Sequence, residues 1–260
     1  MKKIGSPEKE MSFLDHLEEL RWHLIRSTIA VVILALLAFI FKDFIFDTLI
    51  FGPKHPDFPT YKMFCNISRS LGMAGQFSAH MWTSIYAGII VAFPYILYEF
   101  WRFISPGLKE KERNSSRGFL IIASILFFLG VLFGYYLITP LSINFLGSYQ
   151  VSKEVFNDFD LDSYISLVRT SVLACGIVFE LPIIMYILTK IGLVTPEILR
   201  KYRKFALIIV LVLSAVITPP DIVSQIIVAI PILILYEVSI HISKIVIRNQ
   251  LREERRKKKE

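Results

Sequence analysis

Six stretches of the chain, 24–45, 77–100, 118–138, 167–189, 205–217 and 222–240, are long apolar runs with few charges. A helix needs about 20 apolar residues to cross a ~30 Å hydrocarbon core, and the first four stretches approach or exceed that length. The fifth has 13 residues and would rise only about 20 Å. Between the fifth and sixth lie just Thr218, Pro219, Pro220 and Asp221. Neither proline can continue a helix, and Asp221 stands where it can cap the next one. The pattern predicts an all-α integral membrane protein with six transmembrane helices, the last two forming a short hairpin. Thr195, Pro196 and Glu197 have the form of an N-cap, an N1 proline and a first-turn acid, so helix five is expected to begin outside the bilayer.

Ahead of the first run, Ser12 and Asp15 stand at capping-box spacing, and Phe13, Leu17, Leu20 and Leu24 recur at helical spacing. An amphipathic helix is expected there, on the cytoplasmic face. Its polar side carries Asp15, His16, Glu18, Glu19 and Arg21, which composition alone reads as a solvated surface. About twenty residues precede the first apolar run, too many for a cleaved signal peptide, so that run is read as a retained anchor.

Composition agrees with a membrane protein. Of 260 residues, 54% are hydrophobic and 20% charged, against roughly 45–50% and 25% in soluble domains. No linker divides the chain, which reads as one membrane domain over 1–245 and a basic tail over 246–260.

The net charge of +7 would suggest nucleic acid in a soluble protein; here it encodes topology. Lys and Arg number five in the N-terminal region through Arg26, five between the second and third runs, five between the fourth and fifth, and eight after the sixth. The alternate connections, with the ends of the runs that border them, hold six: Lys42, Lys54, Lys62, Arg69, Lys153 and Arg169. By the positive-inside rule both termini are cytoplasmic. The two longer external connections, 46–76 and 139–166, are too long for turns and are expected to form a structured cap. The basic tail reads as a topology signal or an anionic-lipid contact, with no nucleic-acid partner.

Three groups of residues stand out. The cytoplasmic segment from Tyr98 to Leu108, followed by Lys109 to Arg113, places carboxylates beside aromatic surface. Such a segment serves either as an interfacial belt or as a receptor for a basic, hydrophobic peptide, whose arginine fork a carboxylate holds bidentately. Glu180 lies inside an apolar run, where an ionisable group is costly and marks function by default. Pro182 behind it is expected to kink the helix and open a polar pocket. Gln225 and Glu237 are further candidates for intramembrane polar partners, and Gly130 and Gly134 form a GxxxG packing face.

No catalytic residue, cofactor or metal ligand is identified. The five histidines are scattered and no HExxH, GxSxG, Walker A or Rossmann motif occurs. Cys65 and Cys175 read as two unpaired thiols. A secondary transporter or ion channel using Glu180 as its ion or proton site is the alternative from another class, although no inverted repeat is apparent. A structural assembly scaffold is the third.

Taken together, the segments His16 to Arg21, Trp101 to Pro106 with Glu112 and Arg113, Phe179 to Pro182, and Thr218 to Asp221 with Ser224 and Gln225 resemble the TatC family, the polytopic core of the twin-arginine protein translocase. They follow the family's order and spacing over nearly the whole chain. The resemblance implies a receptor in the bacterial cytoplasmic membrane for the twin-arginine signal peptides of folded cargo, driven by the proton-motive force and without a nucleotide site. It implies that Glu19 and Glu112 are signal-binding acids, that Phe103 is an aromatic of the same site, and that Glu180 is the family's intramembrane glutamate. It also implies single-span TatA-type and possibly TatB-type partners and a homo-oligomer within the complex. Asn114 departs from the pattern, since many relatives have a second arginine there.

Overall fold

The computed structural model describes residues 13–54, 67–68, 74–104, 116–150, 152, 159–218 and 221–257. Helix α1 runs Phe13–Ile40 without a break, so the amphipathic segment and the first span are one helix rather than two. A π-helical turn over Phe44–Ile50 follows. Helix α2, Gly75–Ile104, extends the second apolar run at both ends and tolerates Pro94 inside it.

The third span is longer than its apolar run. Helix α3 (Ser116–Phe133) passes through a π turn (Gly134–Ile138) into α4 (Thr139–Ser148), so the first third of the expected external connection is helical. Pro140 has no N–H to donate, and the wider turn ahead of it absorbs that loss. The Gly134 carbonyl accepts both the Thr139 backbone N–H and, at 2.9 Å, the Thr139 hydroxyl.

Helix α5 (Leu161–Phe179) and helix α6 (Leu181–Lys190) meet at Glu180, where Pro182 opens a new helix. The expected kink is therefore a break. Because α5 starts at Leu161, Arg169 lies in its third turn, inside a helix long and apolar enough to cross a membrane. It is not the loop residue that the charge distribution suggested.

Thr195 caps a separate six-residue helix, α7 (Pro196–Lys201), accepting from the Ile198 N–H at 3.4 Å. The chain breaks again at Tyr202 before α8 (Arg203–Ile217). Helix α9 (Ile222–Lys257) continues through the basic tail, so no change of backbone marks the boundary expected at 245. Among the described residues five helical stretches are long and apolar enough to span a bilayer; α8, expected as a further span, has only 15 residues.

The bundle is held by close backbone approach. A Cβ on Gly88 would come within 2.7 Å of the Ala35 backbone, which locks α2 against α1. A Cβ on Gly130 would lie 2.6 Å from the Cys175 carbonyl, and one on Gly134 2.9 Å from the Ser171 carbonyl, so the GxxxG stripe packs α3 and its π turn onto α5. At one end, Tyr135 and Tyr164 donate to the carbonyls of Leu49 and Ile50 at 2.7 and 2.8 Å, tying the 44–50 turn to the bundle. The two external connections meet in a short parallel pairing of β1 (Ile67–Ser68) with β2 (Phe159–Asp160). The outer surface is apolar: Leu24, Leu36, Ile121, Val216 and Ile222 are all more than half exposed. Such a continuous patch suits lipid rather than water.

Candidate functional site

Glu19, His23 and Arg26 follow one another at helical spacing along α1, as do Tyr95, Glu99 and Phe103 along α2. The α1–α2 contact brings the two stripes together at the basic end of the bundle. Glu99 is buried, and its carboxylate is served from three sides. The His23 ring nitrogen Nδ1 bonds to Oε2, the Tyr95 hydroxyl donates to Oε1 at 2.9 Å, and Arg26 Nη1 stands 3.8 Å from Oε2. Phe103 sets its ring edge-to-face with the His23 imidazole, centroids 6.2 Å apart.

Glu19, one turn before His23, differs from Glu99. It is half-buried, and its Oε2 is fully enclosed with no hydrogen-bonding partner among the described residues. A carboxylate in that condition needs a donor. The structure thus places Glu19 one turn before His23 on α1 and Phe103 against the His23 ring, while Glu112 lies outside the described residues. His23, Tyr95 and Arg26 received no role from sequence reasoning, and Glu99 was only one acid in an aromatic segment. Their matched spacing on two helices was the available signal, but it says nothing until the helices are known to face each other.

Glu180 sits elsewhere, in the break between α5 and α6. It is 5% exposed, and neither carboxylate oxygen has a partner among the described residues. Its neighbours Val178 and Leu181 pack on an apolar cluster that includes Cys175, Val210 and Val228. At ~1.5 Å per residue it lies about 28 Å from the start of α5 and about 15 Å from the end of α6, in the half of this stretch nearer the basic end.

The remaining candidates are tied into the hairpin. Gln225 donates through Nε2 to the Leu211 carbonyl at 2.9 Å, joining α9 to α8. Glu237 is half-exposed and pairs with Arg203, the first residue of α8, at 2.8 Å. Pro219 and Pro220 lie outside the described residues. Asp221 caps α9, accepting from the Ser224 hydroxyl at 2.7 Å and from the backbone N–H groups of Ser224 and Val223 at 2.8 and 3.3 Å. The Ser224 hydroxyl first, then those N–H groups, hold its carboxyl below the usual range. Among the described residues no cluster of three or more metal-ligating side chains occurs.

The family model for the Sec-independent protein translocase protein TatC matches residues 15–231, which include both Glu19 and Glu180. The chain belongs to the TatC family. It is 42% identical to the Sec-independent protein translocase protein TatC of Blattabacterium sp. subsp. Periplaneta americana, with 92% of this chain and 97% of that protein covered. With the TatC of Aquifex aeolicus it shares 38% identity, over 92% and 98%. A crystal structure of the twin-arginine translocase receptor TatC, in the detergent DDM, superposes with a TM-score of 0.73 at 38% identity, covering 88% of this chain and 99% of that one. The TatC relationship therefore extends over nearly the full helical bundle, including the break at Glu180.

Proposed function

We propose that this multi-pass membrane protein is the signal-peptide receptor and core subunit of a twin-arginine translocase, moving folded proteins across the bacterial cytoplasmic membrane on the proton-motive force. The observation that carries the reading is the enclosed oxygen of Glu19, without a partner among the described residues, one helical turn from the His23 that packs on Phe103. It offers a desolvated acceptor next to an aromatic wall, the complement of an arginine followed by an apolar segment. Glu112, as a second carboxylate, holds the other arginine. Both termini face the cytoplasm, six helices cross the membrane, and TatA-type and TatB-type single-span subunits join a homo-oligomeric core. The role is recognition and conduction, not catalysis. Glu180, enclosed and away from the rim, acts after docking.

The test is crosslinking of twin-arginine and twin-lysine signal peptides to wild type, Glu19→Gln and Glu112→Lys at matched expression. Lysine offers a point charge where arginine offers a fork, so the twin-lysine peptide binds more weakly at equal charge. Each variant loses affinity worth about 2 kcal/mol, the low end for truncating a hydrogen-bonded charge pair at an interface. Undiminished twin-arginine crosslinking in both variants removes these acids from the site.

A further inference from the structure

Arg169 is the anomalous cation of this bundle. It projects from the third turn of α5, its Nη1 is enclosed without a hydrogen-bonding partner among the described residues, and no acidic side chain there pairs with it. Its guanidinium lies over the Tyr86 ring, 5.6 Å from the centroid. Thr83, one turn earlier on α2, is 3% exposed, and its hydroxyl is likewise unpartnered among the described residues. Arginines inside membrane helices are rare and pair with an anion or a polar cavity.

Both side chains line one cavity of about 260 Å³ between the 44–50 turn, α2, α3 with its π turn, and α5. The cavity surface is almost wholly apolar, and its few polar residues sit at one end, with the Thr83 hydroxyl and Arg169 Nη1 enclosed. Thr83, Tyr86 and Arg169 stand toward the end of the bundle that carries the 44–50 turn, while Ile90, Val91, Leu132 and Val172 lie deeper along the same helices. Val91 and Leu132 are about half exposed on the outer surface, so the cavity opens sideways to the bilayer. Its volume is far below that of a helical segment of ~10 Å diameter and suits an acyl chain. A helical arginine also reaches toward the N-terminus of its own helix, which brings the guanidinium from about 12 Å along α5 up toward the headgroup level.

We propose that this slot binds one anionic phospholipid from the leaflet opposite the basic end, its phosphate on Arg169 and the Thr83 hydroxyl, and one acyl chain along Ile90, Val91 and Leu132. A net negative lipid neutralises the lone guanidinium, whereas a zwitterionic one brings its own cation.

The test is photo-crosslinking in proteoliposomes with phosphatidylglycerol and phosphatidylcholine analogues carrying a diazirine on the acyl chain, with adducts mapped by mass spectrometry. The phosphatidylglycerol analogue labels the segments around Val91 and Leu132 at least about fivefold more than the phosphatidylcholine analogue, matching the worth of one basic residue near an anionic surface. Arg169→Gln removes that preference, Arg169→Lys keeps part of it, and Val91→Trp lowers labelling by both lipids by filling the slot without altering charge. Monodisperse elution of each variant verifies folding. Equal labelling by the two lipids, or an unchanged preference in Arg169→Gln, overturns the proposal. So does a photo-reactive residue at position 91 that captures a single-span protein in place of lipid.

Discussion

Glu99 and Glu180 are both almost fully buried carboxylates, yet their surroundings oppose each other. Glu99 is bonded by His23 and Tyr95 and faced by Arg26, so removing it strands a buried imidazole. Breaking a buried pair in this way costs about 3–5 kcal/mol. Glu180 has no partner among the described residues, so its replacement by an apolar side chain removes a desolvation cost instead. Glu99→Leu is therefore expected to lower the unfolding temperature of the purified protein markedly, and Glu180→Leu to leave it unchanged or raise it. In vesicles Glu180→Leu should lose export of a twin-arginine cargo while retaining signal-peptide crosslinking. Equal destabilisation by both variants would make Glu180 a structural residue.

Two element-scale features govern how the helices meet. The contact of α3 and its π turn with α5 depends on the absence of side chains at Gly130 and Gly134, because a Cβ at either position meets backbone atoms that cannot move aside. Gly134→Leu is expected to cost at least about 1–3 kcal/mol, as overpacking does, and to lower the denaturation temperature in detergent. The α8–α9 hairpin is set by the Asp221 cap. Its carboxyl is held below the usual range by the Ser224 hydroxyl and the Ser224 and Val223 N–H groups, so its contribution is full above the ordinary aspartate pKa. It fades as the pH falls through the lowered value. Asp221→Ala should reduce thermal stability at neutral pH, with the difference from wild type closing as the pH is brought into the acid range. A difference that persists unchanged at low pH would show that the ionised carboxylate is not what the cap requires.

At the scale of the whole molecule, residues 13–26, 98–104, 190–204 and 241–257 gather at one end, and the 44–50 turn, the β1–β2 pairing and Asp221 at the other. The first end holds most of the basic residues, so by the positive-inside rule it is expected to face the cytoplasm. A cysteine placed at the exposed Asp160, in a chain lacking Cys65 and Cys175, should react with an impermeant reagent only from the external side. Labelling only from the cytoplasmic side would invert the topology and move Glu19 away from its peptide.

What the sequence determined by itself is whatever rests on local chemistry. Apolar length sets the spans, the GxxxG spacing announces a close helix contact, Pro182 announces the break at Glu180, and Asp221 announces a cap, because each depends only on residues a few positions apart. Glu180 was legible for the same reason, since a carboxylate in an apolar run is anomalous before any fold is known. The tertiary structure decided everything that depends on which faces meet. Glu19 and Glu99 are both acids at the basic end, but one is left unpartnered and the other is satisfied by His23, Tyr95 and Arg26 from across the α1–α2 contact. Arg169 passed as a loop cation because charge counting assigns residues to the nearest connection. The apolar run 167–189 already reached Arg169, but only the extension of α5 back to Leu161 put it two turns inside the helix, where a cation without a partner among the described residues calls for an anion.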